Sequence, residues 1–435
     1  MFRPTDFLLQ ECKNVRSLLR NTLRYTYSSE SSVDIYRECL ARLDLIEDGF
    51  RVLKEDDTDV LQELWVQLSH LSVLIGRVER SHIEEFSWPF ARSLKELATN
   101  VCSSVDSGGP PLFLFSADDQ LLSYEVETEQ SAPGLLQRPL FSINFPRSLK
   151  PFVLLHAILG HEIGHAAFAI PKLAAQLRRE VIDVLIADSP LSDINEFEQW
   201  VYNTKSPLSI EFMPEKAHVS WPEELYCDLF GMVMMGPSYI GANCSLLLPF
   251  DMRAVSNSHP PGLTRYWMMN LGAQRLGWRA ALNGSPKIRQ SSNSYFDALS
   301  KAASKVPKKF QLLQSVQVGT AVSRLLEILE PLGQTLFSMP PQAEVARMVE
   351  RLLAARPPVE STISKTLDIS NQRVDLRSIL LAGWLAWHSA GRSREKLDFM
   401  NLNMLCERAV LLQCAVDYWD TNKHRRSESH ARPKQ

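Results

Sequence analysis

Apolar residues recur at helical spacing through the opening part of the chain. Phe7, Val15, Leu18 and Leu19 form one set, Ile35, Cys39, Leu43 and Ile46 a second, and Leu61, Leu64, Leu68, Leu71 and Leu74 a third. Serine-rich residues 28–32 and acidic residues 56–59 separate the sets, and acidic side chains suit helix starts. A small helical bundle is expected over residues 1–104. The period then changes. Residues 106–111 mix Asp, Ser, Gly and Pro as a loop, and residues 112–115, 121–126 and 139–145 have strand composition. Asp118-Asp119 reads as the turn between the first two strands.

Pro151 and Pro171 bracket an unusually apolar helix carrying Phe152, Val153, Leu154, Leu155, Ile158 and Leu159. Residues 171–219 predict two more helices, one through Leu173, Leu177, Val181 and Leu185, the other through Ile194, Phe197 and Val201. That segment is long enough to form a lid or wall over a neighbouring cleft. Ser220-Trp221-Pro222-Glu223 reads as a capping box, with Ser220 as N-cap, Pro222 in the first turn and Glu223 reaching back to the cap. Residues 229–250 carry no charge over 22 positions, about the length of a membrane-spanning helix. Gly236-Pro237-Ser238, Gly241, Asn243 and Ser245 divide them into a helix end and a loop, buried beneath the site. A helix continues past Arg265 through Trp267, Leu271 and Leu276, and residues 283–295 are polar enough for a linker. Helices resume from residue 296 to Trp419, with breaks at Pro340-Pro341 and Pro357-Pro358 and a core helix over residues 379–387.

Within the apolar helix stands His161-Glu162-Ile163-Gly164-His165. Positions i and i+4 share a helix face, so both histidines can present ring nitrogens to one metal ion. Glu162 projects about a quarter-turn away, where it can hold a water rather than bind the metal. Catalytic zinc takes three protein ligands, and Glu224-Leu225-Tyr226-Cys227-Asp228 supplies the third as Glu224. Asp228, one turn later, can accept the free ring N–H of a ligand histidine. Glu223 lies off the Asp228 face and is assigned to the cap. Cys227 points away from that face and is assigned to packing. Two histidines and a glutamate in so apolar a helix need partners, and one zinc ion per chain would provide one.

His161 to His165 with Glu224 to Asp228 resembles the gluzincin pattern of thermolysin-like zinc metallopeptidases, and the run from Glu224 to Phe230-Gly231 is similar to their third-ligand helix. Ser258-His259-Pro260 followed by Arg265 resembles the H-P-x-x-x-x-R segment of the CAAX prenyl-protease and HtpX-like endopeptidases. The matches span residues 152–265 only. The resemblance implies His161, His165 and Glu224 as zinc ligands, Glu162 as general base, and Asp228 supporting His161. It implies for His259 a place in the cleft or at the oxyanion; the alternative is a His-Pro turn that starts the next helix. Tyr226 and Tyr239 are further oxyanion candidates, or packing residues. The resemblance also places a small sheet before the active-site helix, with an edge strand pairing to extended substrate. Residues 140–145 are the candidate edge; the alternative is a covered internal strand. The chain departs from these mostly membrane-embedded families in having no convincing span.

Composition adds limits. A chain of 435 residues suggests two or three domains. These are an N-terminal helical domain (1–104), a zincin-like core (105–282), a C-terminal helical domain (283–420) and a disordered basic tail (421–435). The fold class expected is mainly α with a small β-sheet, an α+β zincin-like core flanked by helical domains. A net charge of −3 gives no reason to expect nucleic acid. Seven cysteines without a C-x-x-C pair, and no signal peptide, point to reduced thiols and a cytoplasmic location. The function expected is a zinc metalloendopeptidase acting on protein or peptide, with a regulatory protein partner possible through the helical flanks. Two alternatives stay open: a non-catalytic zinc-containing scaffold, and a zinc hydrolase of a non-peptide amide or ester.

Overall fold

In the computed structural model the described residues are 4–25, 31–53, 57–82, 87–103, 112–118, 126–127, 140–209, 211–247, 252–331, 336–359, 374–389 and 397–430. The chain divides into two compact units, residues 1–150 and 151–435. Residues 105–150, expected with the core domain, belong to the first unit, and residues 283–420 belong to the second.

Among the described residues the first unit holds four helices, α1 (Pro4–Thr22), α2 (Ser31–Val52), α3 (Thr58–Glu79) and α4 (Trp88–Ser103). Their apolar stripes meet as the helical spacing predicts. Cys12, Val15 and Leu19 pack with Ile35, Cys39, Leu43 and Ile46, and with Leu68, Leu71 and Leu74. Phe7 and Leu18, part of the same periodic set, stay exposed. The described residues also form three strands: β1 (Leu112–Asp118), β2 (Val126–Glu127) and β3 (Leu140–Pro146). The sheet order is β1-β3-β2. β3 runs parallel to β1, with Leu112 opposite Leu140, and antiparallel to β2. The edge-strand expectation for residues 140–145 is therefore corrected. That strand is central, paired on both sides and buried along its whole length. Its lack of charge, with apolar residues on both faces, is what a strand covered on two faces requires. The loop expected at 106–111, residues 121–125 and Asp119 lie outside the described residues.

Among the described residues of the second unit the regular elements are all helical, apart from one isolated bridge, Leu208 to Val255. Val153–Ile158 forms a 3₁₀ stretch that leads into α5 (Leu159–Phe168), so the apolar helix is not α-helical from Pro151. Pro171 starts the next helix at its first position, where a proline lacks no needed N–H. α6 (Pro171–Leu177), a π turn (Arg178–Ile182) and α7 (Asp183–Ile186) follow as one run, then α8 (Ile194–Thr204), capped by Asp193. α9 (Pro214–Met235) begins at Pro214, upstream of the expected cap at Ser220, and Pro222 lies inside it. Trp221 explains why the helix runs through: it is fully buried against Phe197 and Trp200 of α8. That packing outweighs the local preference for a start at Ser220.

Gly236, with φ of +66°, ends α9, and α10 (Pro237–Leu247) follows, where a loop was expected. The remaining helices are α11 (Gly262–Arg275), α12 (Trp278–Asn283), α13 (Pro286–Ala303), α14 (Ser315–Leu329), α15 (Gln342–Leu353), α16 (Leu376–Ser389) and α17 (Phe399–His430). The linker expected over 283–295 is instead mostly α13. Ile288, Ser292, Tyr295, Phe296, Leu299 and Ala303 form its buried face, and serines on that face hide its helical period. α17 extends through residues 421–430 of the expected disordered tail; residues 431–435 lie outside the described residues. The architecture is mainly α with a small sheet. No single described helix is long and apolar enough to cross a membrane.

Candidate metal centre

Two helices, α5 and α9, build the site, and small residues let them approach. A Cβ on Gly164 would stand 3.2 Å from the Cys227 backbone, and one on Gly160 would stand 3.2 Å from Gly231 Cα. Gly160 and Gly164 are one turn apart, so they clear a groove along α5 that seats α9. With the backbones this close, His161 and His165 reach the carboxylates of α9.

The two histidines converge on one carboxylate. His161 Nε2 lies 3.2 Å from Glu224 Oε2, and His165 Nε2 lies 3.3 Å from Glu224 Oε1. A tetrahedral zinc with ordinary Zn–N and Zn–O bonds separates neighbouring ligand atoms by about 3.4 Å. The contacts fit that edge length. Glu224 Oε2 is buried yet accepts no hydrogen bond, despite the nearby imidazole. With its unbonded Oε2 toward His161 Nε2 and its Oε1 toward His165 Nε2, the Glu224 carboxylate joins the two histidines in a donor set that could hold a metal ion, and its chemistry fits zinc.

Each histidine is held from behind through Nδ1. His161 Nδ1–H donates to Asp228 at 3.0 Å, and His165 Nδ1–H donates to Glu223 at 2.8 Å. Glu223 is thus not a helix cap; with α9 starting at Pro214 it lies mid-helix and turns toward α5. Asp228 is fully buried and heavily bonded. Arg265 of α11 clamps it through Nε at 2.7 Å and a second guanidinium nitrogen at 2.6 Å. The Tyr239 hydroxyl and the Asn243 amide, both from α10, also donate to it. Burial alone would raise the Asp228 pKa, but Arg265 and then His161 bring it well below the usual carboxylate range. Burial likewise opposes ionisation of Glu224, and His161 and His165 reverse the effect.

Glu162 is buried, and among the described residues its carboxylate accepts no hydrogen bond. Burial pushes its pKa up, against the pull of His161 and His165. His259 sits at the rim with its side chain over half exposed; its Nε2 comes within 3.5 Å of Glu224 Oε2, and its Nδ1 meets Ser258 Oγ at 2.8 Å. The same His-Pro segment also leads into α11. Tyr239 spends its hydroxyl on Asp228, behind the histidines, and Tyr226 packs its ring against Phe168 and Phe230. Neither is placed as an oxyanion donor.

Cys227 requires a correction. It faces α5, and one donor atom each from His161, His165 and Cys227 lie within 4.8 Å of one another. The close α5–α9 contact brings Gly164 onto Cys227, so this residue too lies against the metal-facing helix. Glu224 places its two carboxylate oxygens 3.2 and 3.3 Å from the histidine Nε2 atoms, and Cys227 stands beside it as a second candidate for the third donor.

No protein-family model, curated protein or solved structure matches the chain.

Several of these roles were not assigned from sequence: Glu223 as a brace on His165, Arg265 as a clamp on Asp228, and Tyr239 with Asn243 as donors to it. Tyr239 and Asn243 are one helical turn apart in an uncharged run, a spacing that marks a shared polar face inside an apolar segment.

Proposed function

We propose that this chain is a zinc-dependent hydrolase, with a peptide bond as its target, built on a zincin-like core. The observation that carries the reading is the convergence of His161 Nε2 and His165 Nε2 on the Glu224 carboxylate at 3.2 and 3.3 Å. When bound there, zinc would supply Lewis acidity toward a carbonyl oxygen and toward water. Glu162, buried and without a hydrogen bond among the described residues, takes a proton from the attacking water and passes it to the leaving nitrogen. Asp228 and Glu223 keep both Nε2 atoms directed at the metal position. His259, exposed at the rim, donates to the charge that develops on the scissile carbonyl oxygen. The seven free cysteines support a reducing, cytoplasmic setting within the same proposal.

A second reading has one observation in its favour. His259 approaches Glu224 closely enough to serve as a fourth donor, and four protein donors characterise a structural zinc site. The free Glu162 carboxylate favours catalysis.

The test is elemental analysis of the purified chain together with a peptide-hydrolysis assay. About one zinc per chain in the wild type is expected, absent from His161→Ala. Glu162→Gln should keep the zinc and lose at least about 10²-fold in kcat. A folded wild type that takes up no zinc overturns the proposal. Zinc uptake with hydrolysis unaffected by Glu162→Gln assigns the metal a structural role.

A further inference from the structure

The two histidines are braced unequally. His161 is held by Asp228, a carboxylate with no exposure, itself fixed by donors from α10 and α11. His165 is held by Glu223, with the Cys227 thiol as a further neighbour, and the His165–Glu223 pair faces water: the side chains are 22% and 32% exposed. Rotation of His161 requires breaking a buried network. Rotation of His165 requires releasing its hydrogen bond to Glu223, in a pair open to water.

We propose that Glu223 is a positioning residue that governs retention of the metal by holding His165, the ligand first to let go. The inference rests on the zinc reading of the site. Its physical basis is the 2.8 Å contact between Glu223 Oε1 and His165 Nδ1. That bond selects the tautomer with Nε2 free for the metal and restrains the ring about its two rotatable bonds. The backbone contributes as well. Glu223 and Glu224 are adjacent in α9, so one helix segment delivers both the third ligand and the brace, and a small shift of that segment loosens two of three ligands together. Exposure of the His165–Glu223 pair means that competing water can replace the brace, whereas no such route is open to Asp228.

The test measures zinc affinity of the full-length chain by competition with a chromophoric chelator, with the dissociation rate followed after excess chelator is added. Wild type, Glu223→Ala and Glu223→Gln are compared, with far-UV circular dichroism of each metal-free protein as the folding check. Glu223→Ala should bind zinc about 10–100-fold more weakly, with the change mainly in dissociation. Glu223→Gln keeps an acceptor oxygen and should recover most of the loss. Cobalt in place of zinc reports geometry through its visible bands, which should broaden in Glu223→Ala and sharpen again in Glu223→Gln. Wild-type affinity in Glu223→Ala overturns the inference while leaving the metal site in place. A glutamine variant as weak as alanine also overturns it, because charge rather than the hydrogen bond would then be responsible. A wild type that binds no zinc removes the functional reading and this inference together.

Discussion

Replacing Arg265 by Met tests whether the Asp228 clamp holds the site together. Asp228 has no solvent exposure, and Arg265 gives it two short charge-assisted hydrogen bonds, 2.7 and 2.6 Å long. Met fills comparable space but supplies neither bond nor charge. Asp228 would keep only His161, Tyr239 and Asn243 as donors. Breaking one side of a buried pair costs about 3–5 kcal/mol, and losing two hydrogen bonds to a charged group at about 1.5–3 kcal/mol each gives a similar figure. With an unfolding entropy near 2.1 cal/mol/K per residue over residues 151–435, the melting temperature should drop by about 5–8 °C. The assay is denaturant unfolding of the metal-free protein, followed by tryptophan fluorescence. Adding Asp228→Asn to Arg265→Met removes the stranded charge, so the double variant should lose less than the sum of the two single losses. A loss below about 1 kcal/mol for Arg265→Met, or strict additivity in the double variant, would refute the reasoning.

Gly231→Ala should destabilise by about 1–3 kcal/mol and weaken zinc binding, because the new Cβ would sit 2.4 Å from the Tyr239 ring that bonds Asp228. Gly76→Ala is the matched control: its Cβ meets only the Arg80 side chain at 3.6 Å, and removing a glycine from the last turn of α3 should stabilise by up to about 0.5–1 kcal/mol. Both are read from denaturation midpoints. Stability should also fall on the alkaline side. Burial raises Cys12 to about 11 and Cys39 and Cys244 to about 12, from 9.0. These thiols stay neutral in the folded chain and ionise once it unfolds. Their contribution is complete below about pH 8.5 and is lost as pH rises toward the folded values. Cys39→Ala should flatten the slope of unfolding free energy against pH above 9; an unchanged slope would exclude Cys39 as a contributor.

Local rules served well where neighbours along the chain decide the outcome. The stripes of α1, α2 and α3 follow from helical spacing because each residue three or four positions on shares a face. They served less well where a distant partner decides. Ser220-Trp221-Pro222-Glu223 satisfies the pattern of a helix start, yet burial of Trp221 against α8 carries the helix through it and frees Glu223 to brace His165. Residues 283–295 look polar, but serines line the buried face of α13, and polarity alone conceals that face. Residues 140–145 have strand composition, while strand order depends on which other strands arrive beside them.

The sequence alone determined that His161 and His165 share a helix face with Glu162 beside them, and that Glu224 and Asp228 share another. Both follow from a fixed rise and turn per residue. Only the tertiary structure decided that the two faces meet. The glycine groove of α5 had to receive α9, and α10 and α11 had to bring Tyr239, Asn243 and Arg265 to Asp228. Those contacts join residues far apart along the chain, and close packing of separate helices, rather than any local spacing, places them.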